Sequence, residues 1–327
     1  MTAAEQIVAL LREAAGREVS SRVLCERLGV SRAAVWKQVE TLRAGGYVIE
    51  ACSRRGYRLE AAPDTPHAAE VGPLLTTRTL GRECRYLAET LSTNRDVAAL
   101  AQAGAAEGVV VAAGAQRAGR GRMTRVWFSP PDVNLYFSLL LRPAVEPLRA
   151  ASLPLVAGLA VAEALAELAP GTAPQIKWPN DILMGGKKVC GILCEMQAET
   201  DCVSHIIPGI GVNVNLSREE LPEELRDRAT SLKIEAGRSF SRAAVLAAIL
   251  NRFEPLYLRW CAEGFEPLLP AVAARDALLG RTITLEQGGQ RVTGTAEGIL
   301  SDGALRLRTA QGAMPVYSGE AHIGAME

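Results

Sequence analysis

The chain has 327 residues, 48% of them hydrophobic, which is too long for one ordinary domain and supports two or three packed ones. Its 36 Lys and Arg residues balance its 36 Asp and Glu residues, so an attraction of nucleic acid to the protein as a whole is excluded. The seven cysteines show neither CxxC nor Cys/His metal spacing, which indicates free thiols in a reducing compartment and predicts no metal site.

The N-terminal region predicts a winged helix-turn-helix, over residues 1–62. Three helices are predicted: one over residues 4–15, a second that begins at residues 19–21, and a third over 32–44. Two strands are predicted over 47–50 and 56–59. Ser31 follows a Gly-Val turn and is a favourable N-cap for the third helix. Helices in this order, followed by a two-stranded wing, are typical of DNA-binding domains.

The charge of this region favours nucleic acid even though the whole chain is neutral. Between Gly16 and Arg58 there are nine basic and four acidic residues, a surplus of five positive charges. The residues expected to face DNA on the third helix and at the wing tip are Ser31, Arg32, Lys37, Gln38, Arg54 and Arg55. A small helical interaction domain is the alternative that the pattern leaves open.

The central region, residues 80–275, predicts a mixed α+β sheet, reached through a Pro-containing linker over residues 63–79. Several adjacent strands lie between a few helices, which disfavours a regular βαβ barrel. The most apolar helix, Leu153 to Leu168, contains two glutamates and is too short to cross a bilayer. Since the N-terminus also lacks a signal peptide, we expect a cytoplasmic protein without a membrane span.

The last region, residues 276–327, predicts a small β-barrel. Polar and apolar residues alternate over four stretches, separated by Gly-Gly and Asp-Gly turns. The four predicted strands cover residues 281–285, 292–299, 304–307 and 314–317.

The densest chemical signal is an arginine-rich loop in the central region. Arg117, Arg120, Arg122 and Arg125 fall within nine residues that contain no acid. Glycines at positions 119 and 121 let the backbone bend close to a ligand, and guanidinium groups match phosphate oxygens. The spacing fits neither a dinucleotide fingerprint nor a Walker A motif, so either an anion-binding lid or a solvated loop remains open.

In combination, the motifs of the chain resemble those of the bifunctional biotin–protein ligase and biotin operon repressor family, the BirA family, over its whole length. They are, in order, Ser31 to Lys37, Ser92-Thr93-Asn94, Gln116 with Gly119 to Arg122, Trp127 to Pro130, Asn134 to Tyr136, Lys177 to Asp181, Lys188 with Gly191 to Leu193, and Gly209 to Asn213. The resemblance implies a central domain like that of class II synthetases and an SH3-like C-terminal domain.

The resemblance also implies the reaction and its partners. Biotin and MgATP form biotinyl-5′-AMP and diphosphate, and a lysine of a biotin carboxyl carrier protein, as in acetyl-CoA carboxylase, then displaces AMP. Mg²⁺ accompanies ATP. The other implied partners are operator DNA and a second copy of the chain in a ligand-induced homodimer.

By matching position, the resemblance assigns catalytic roles to Lys188 and Arg122. The residues implied to hold biotin or biotinyl-5′-AMP are these two with Ser92, Thr93, Asn94, Gln116, Arg120, Gly121, Gly191, Leu193 and Gly209. Those implied on the nucleotide side are Lys177, Trp178, Asn180, Asp181 and Asn213. Three structural alternatives remain: a helix cap at residues 92–94, a capped turn around Pro179, and Lys187 in place of Lys188.

The chain departs from the family pattern at one place, and two other functions remain as alternatives. Met123 and Thr124 follow the loop where the family commonly has a varied residue and then glycine, which affects lid closure and dimerisation. A lipoyl or octanoyl transferase would need neither the N-terminal domain nor the terminal barrel. A biotin-sensing transcription factor without ligase activity would not need Arg120, Arg122 and Lys188.

Overall fold

The computed structural model describes residues 2–53, 55–123, 125–198, 202–287 and 290–324. Its elements form an N-terminal helical unit with a wing, a central unit built on a seven-stranded sheet, and a five-stranded C-terminal sheet. The predicted α+β class, with a helix-turn-helix before the catalytic unit, is confirmed.

The N-terminal unit packs three helices against the wing. Its elements are α1 (Ala3–Glu13), α2 (Ser21–Leu28), α3 (Arg32–Ala44), β1 (Val48–Cys52) and β2 (Gly56–Ala61). Ser31 begins α3 as predicted, since its side chain accepts a hydrogen bond from the Ala34 amide. Apolar residues from all three helices, such as Ile7, Leu24 and Val39, are completely buried and form the small core.

Residues 63–79 pack against both neighbouring units. They contain α4 (Ala68–Val71) and a 3-10 turn over Gly72–Leu74. Glu70 on α4 is buried, accepts a 2.5 Å hydrogen bond from the Tyr47 hydroxyl and forms an ion pair with Arg12. Burial raises the pKa of Tyr47, which keeps it a hydroxyl donor to this carboxylate.

The central sheet has the strand order β3-β4-β5-β9-β8-β7-β6. Its strands are β3 (Cys84–Thr90), β4 (Val110–Gln116), β5 (Leu135–Leu139), β6 (Gln175–Lys177), β7 (Asp181–Met184), β8 (Lys187–Ala198) and β9 (Val203–Val212). Only β3 and β4 are parallel; the other pairs are antiparallel. Most loops therefore connect neighbouring strands, as expected for an α+β sheet.

The helices of the central unit cover the sheet and build the main core. They are α5 (Thr93–Gln102), α6 (Pro147–Ala150), α7 (Leu153–Leu168), α8 (Leu232–Ala236), α9 (Arg242–Glu263) and α10 (Leu269–Ala273). The prediction of a single helix over 148–168 is wrong. The helix is interrupted after Ala150, and a second helix, α7, begins after Ser152 with Pro154 in its first turn.

The run from Pro147 to Leu168 is 22 residues long and apolar enough to cross a membrane by length and composition. In the folded chain it is mostly buried, and α7 packs along α9 in the core. The structure therefore accounts for its hydrophobicity as that of a core helix.

The C-terminal sheet has the order β13-β12-β11-β10-β14, with every pair antiparallel. Its strands are β10 (Thr282–Gln287), β11 (Gln290–Ile299), β12 (Leu305–Thr309), β13 (Gly312–Val316) and β14 (Glu320–Ile323). The four predicted strands are present and β14 was missed, because two of its four residues are polar and it is short. Buried residues such as Ile283 and Leu305 continue the main core, which fixes this sheet beside the central one.

Candidate active site

A cavity of about 790 Å³ opens between α5, the arginine-rich loop, strands β7 to β9 and β14. All the residues that the family resemblance assigned to biotin, biotinyl-5′-AMP or the nucleotide border this one cavity. They come from segments between Ser92 and Asn213 that are far apart in the chain, so the fold brings them together. Val126, at the cavity rim, is 84% exposed, which marks the loop as the solvent-facing wall.

At one end, a buried network of uncharged polar groups begins at α5. The Gln116 Oε1 atom accepts from the Thr93 amide at 3.0 Å, and the Thr93 and Ser138 hydroxyls are 2.6 Å apart. Ser138 in turn donates to Asn94 Oδ1 at 2.5 Å. Thr93, Asn94 and Ser138 are all nearly or fully buried, so their polar atoms depend on each other or on a ligand. Ser92 occupies the N-cap position of α5 but its side chain makes no capping bond.

Glycines on β8 and β9 make the floor of the cavity. Gly191 and Gly211 lie opposite each other in the register, and a Cβ on either would contact the Trp127 indole, within 2.9 Å from Gly191 and 2.6 Å from Gly211. A Cβ on Gly209 would lie 2.0 Å from Asn94 Oδ1. Only glycine leaves room for these two side chains to lie flat on the sheet.

Lys188 and Lys187 are neighbours that end in different surroundings. The Lys188 ammonium lies 2.6 Å from Asp181 Oδ1 and 5.3 Å from the centre of a Trp127 ring, facing the cavity. The ammonium and the Asp181 carboxylate form a close ion pair, but their relative orientation does not meet the geometry of a hydrogen bond. Lys187 instead donates to the Arg226 carbonyl at 2.9 Å. The geometry therefore supports Lys188 as the functional lysine.

Backbone hydrogen bonds join the two sides of the arginine-rich loop. Gly121 N donates to Arg125 O at 2.7 Å, and Trp127 N donates to Gly119 O at 2.9 Å. Three of its arginines pair with carboxylates: Arg117 with Glu89, Arg120 with Glu195 and Arg125 with Glu320.

Arg122 is different, because it forms no ion pair with any residue that the structure describes. Its Nη1 donates at 3.2 Å to the Gly319 carbonyl and at 3.4 Å to Asn180 Oδ1. Burial lowers the pKa of Arg122, which nevertheless stays charged. Asp181 and Glu320 act on this guanidinium electrostatically, and it borders the cavity, where it can contact an anion. Thr124 and Arg54 lie outside the described residues.

On the proposed nucleotide side, the side-chain amides of two asparagines donate to backbone carbonyls and so stabilise the fold. Asn180 Nδ2 donates to the Ile192 carbonyl at 2.7 Å, and Asn213 Nδ2 donates to the Thr230 carbonyl at 2.9 Å. The Trp178 indole is 2% exposed and donates to the carbonyl of Gly303, in the turn between β11 and β12, so it joins two units. Burial lowers the pKa of Lys177, which has no ion-pair partner within 4 Å in the described ranges.

Four groups at this site escaped sequence reasoning. Glu195 bonds both Asn94 and Arg120, Ser138 completes the buried network, and Glu320 on β14 holds Arg125. The Trp127 indole N–H is buried without a hydrogen-bond partner among the described residues. Trp127 lies in a motif of the resemblance that assigned it no role, and Ser138 gave a signal as a small polar residue among the large side chains of its strand.

The face predicted to contact DNA is exposed. Arg32 and Lys37 are exposed on α3, Gln38 is partly buried, and the Ser31 hydroxyl caps the helix. Arg55 at the wing pairs with Glu18 at 3.1 Å, which reduces its free charge. Trp36 lies between these cations in the sequence with 57% of its surface exposed.

Comparison with family models divides the chain as the structure does. The biotin/lipoate A/B protein ligase family matches residues 87–213, an HTH domain matches residues 4–58, and the biotin protein ligase C terminal domain matches residues 278–324.

The chain is also similar to curated proteins over nearly its whole length. It is 39% identical to the bifunctional ligase/repressor BirA of Bacillus subtilis, with 99% of each chain covered. It is 31% identical to the protein of that name in Escherichia coli, covering 98% of this chain and 97% of the other. The solved biotin protein ligase of Aquifex aeolicus, in complex with biotin and ATP, aligns with a TM-score of 0.64 at 33% identity, covering 74% of this chain and 99% of that one.

Proposed function

The chain belongs to the biotin protein ligase family, in its bifunctional ligase and repressor branch, and we propose that it biotinylates a carrier protein through biotinyl-5′-AMP at the cavity described above. The proposed domains are a DNA-binding domain over residues 1–62, a linker over 63–79, the ligase domain over 80–275 and a C-terminal domain over 276–327. The acceptor is a lysine of the biotin carboxyl carrier protein of acetyl-CoA carboxylase.

The observation that carries this proposal is the division of one cavity into a neutral and a cationic end. The Gln116–Thr93–Ser138–Asn94 network offers buried uncharged donors and acceptors, which suit the cyclic urea of biotin. Lys188 and Arg122 line the same cavity and suit a carboxylate and a phosphate. Biotinyl-5′-AMP has these two chemistries in one molecule.

In the first step, a carboxylate oxygen of biotin attacks the α-phosphorus of ATP, a new P–O bond forms and diphosphate leaves. Negative charge grows on the phosphoryl oxygens, and Lys188 and Arg122 are the cations placed to stabilise it. Asp181 and the Trp127 ring hold the Lys188 ammonium toward the cavity.

Mg²⁺ supplies further charge neutralisation when it is bound to the triphosphate. Among the described residues no group of three His, Cys, Asp or Glu side chains could hold a metal ion, so we propose that Mg²⁺ enters with ATP.

In the second step, the ε-amine of the acceptor lysine attacks the acyl carbon of biotinyl-5′-AMP, the amide bond forms and AMP leaves. Arg120 and Arg122 lie on the loop that covers the cavity, where they retain the intermediate until the acceptor arrives. Gly121 is the residue of this loop that we propose permits its closure, because glycine adds no side chain there.

The direct test is biotinylation of a purified acceptor domain with biotin and MgATP, followed by intact mass and by biotin-dependent diphosphate exchange into ATP. We expect one added biotin, removed by mutation of the acceptor lysine. Replacement of biotin by lipoate or octanoate tests the transferase alternative. Operator binding without any diphosphate exchange would instead identify a biotin sensor without ligase activity.

The N-terminal unit supports the second half of the proposal, repression of biotin synthesis genes from the cytoplasm by a ligand-induced homodimer. The exposed Arg32 and Lys37 lie on α3, the helix expected in the major groove. Two copies would engage two half-sites and gain affinity through effective concentration. Mapping of DNA bound with and without biotin and ATP tests this assignment.

A further inference from the structure

Glu195 occupies the place where the biotin end of the cavity meets the arginine-rich loop. Its Oε2 atom accepts from Asn94 Nδ2 at 2.7 Å, and its Oε1 atom accepts from Arg120 Nη2 at 2.9 Å. Asn94 is in the first turn of α5 and Arg120 is in the loop, so one carboxylate on β8 bonds two separate walls of the cavity.

The neutral network determines which way the Asn94 amide faces. A hydroxyl has one proton, and the Ser138 proton goes to Asn94 Oδ1 at 2.5 Å. The Asn94 Nδ2 group must then face Leu193 O, at 3.4 Å, and Glu195. Gly209 packs so closely behind Asn94 that the amide has little room to turn away.

The contact with Arg120 has a different character. The Arg120 and Glu195 side chains are 49% and 38% exposed, and an ion pair of this exposure contributes little to stability. It is therefore readily exchanged for another anion, while it still restricts where the loop arginine lies. Without Glu195, neither the Arg120 guanidinium nor the Asn94 Nδ2 group has another carboxylate partner among the described residues.

We propose that Glu195 is a positioning residue for ligation: it orients Asn94 for biotin and holds Arg120 so that the loop closes over biotinyl-5′-AMP. This inference rests on the proposed function. Glu195 touches neither the reacting carboxylate nor the phosphate in this account. It acts through Asn94 on biotin affinity and through Arg120 on retention of the intermediate.

Two substitutions separate the two contacts. Glu195→Ala removes both. In Glu195→Gln, the single side-chain oxygen still accepts from Asn94, but the amide NH₂ then meets the donors of Arg120 without an attracting charge. The matched control is Glu89→Gln, which breaks the comparable exposed pair between Glu89 and Arg117 at the base of the same loop.

The measurements are the biotin Kd by calorimetry without ATP, and the rate at which biotinyl-5′-AMP escapes, read as acylation of lysines on an unrelated protein. For Glu195→Ala we expect biotin Kd to rise roughly tenfold, the scale of a lost charge-assisted hydrogen bond, and escape to rise by up to about fivefold, the limit for an exposed ion pair. For Glu195→Gln we expect escape to rise similarly while biotin Kd stays within about threefold of wild type. Glu89→Gln should match wild type in both.

Three results would overturn the inference. The first is wild-type behaviour of both Glu195 variants. The second is equal loss of biotin affinity in both, and the third is a fall in melting temperature that accounts for all the losses. A wild-type chain with no biotin-dependent diphosphate exchange would refute the proposed function itself, and this inference with it, so the two failures are distinguishable in one series.

Discussion

At the scale of single residues, Lys187 and Lys188 are adjacent in the chain but make different contacts. Lys187 and Lys188 are successive residues of β8, and successive residues of a strand face opposite sides of the sheet. Lys188 reaches Asp181 and Trp127 in the cavity, whereas Lys187 reaches the Arg226 carbonyl.

We predict that Lys188→Ala slows both adenylation and transfer, while Lys187→Ala does not. A charge-assisted contact made in the transition state contributes about 1.5–3 kcal/mol, or roughly one to two decades in rate. Single-turnover kinetics of biotinyl-5′-AMP formation and of its consumption by the acceptor domain measure the two steps. Equal rates in the two variants would show that the wrong lysine is assigned.

At the scale of elements, β14 joins the C-terminal sheet to the arginine-rich loop. Gly319, just before β14, accepts from Arg122, and Glu320 pairs with Arg125. The C-terminal sheet therefore supplies part of the wall of the proposed ligase site.

We predict that Glu320→Ala loosens the loop without raising KM for ATP. The substitution frees one end of the hairpin, but it also frees the positive charge of Arg125 for the triphosphate. Hydrogen exchange of the amides of Gly121 and Trp127 should accelerate by up to about fivefold, the limit for an exposed ion pair.

The control for this experiment is Glu297→Ala, which breaks ion pairs with Arg306 and Arg308 elsewhere on the same sheet. It should leave exchange in the loop unchanged. Unaltered loop exchange in Glu320→Ala would mean that the hairpin's own backbone hydrogen bonds hold it.

At the scale of the whole molecule, the DNA-binding and ligase units are joined at α4. Glu70 bonds Tyr47 and Arg12 of the N-terminal unit, while Val71 beside it is buried in the main core. On the other side, Asp64 accepts from the Arg242 backbone amide at 2.8 Å and pairs with its guanidinium.

We predict that deletion of residues 1–62 abolishes DNA binding and preserves ligation. The shortened chain keeps Asp64 with Arg242, and Glu70 loses both its partners but becomes solvated, so it is not left as a buried unpaired charge. Gel shift and acceptor biotinylation measure the two activities. A full-length chain with Arg32→Ala and Lys37→Ala should show the same separation, and loss of ligation from a folded truncation would contradict modularity.

A further prediction concerns coupling between the two activities. Biotin with MgATP should raise dimerisation and operator affinity together, because a ligand shifts an equilibrium by binding the dimer-competent state better. Arg122→Gly should weaken both effects, since it removes the loop contact with Gly319 and the phosphate. Sedimentation at micromolar concentration with and without biotinyl-5′-AMP checks this. An unchanged monomer fraction would refute the coupling and leave the ligase assignment intact.

The sequence by itself determined the features that depend on residues close together in the chain. The N-cap at Ser31, the hydrophobic spacing of α3 and the turn glycines specify local structure directly, and the helix-turn-helix and most strands followed from them. The basic loop was also visible, because its four arginines lie within nine residues of the chain. The family resemblance then supplied the site residues, and all of them border one cavity.

Only the tertiary structure decided which partner each polar side chain has. Arg122 meets Gly319 across 197 positions, Asn94 meets Glu195 across 101, and α4 contacts both of its neighbouring units. A side chain pays for burial with the particular donor or acceptor that the fold brings to it, and local pattern does not encode that distance in space. For that reason the different contacts of Lys187 and Lys188, and the two contacts of Glu195, could be identified only in the folded chain.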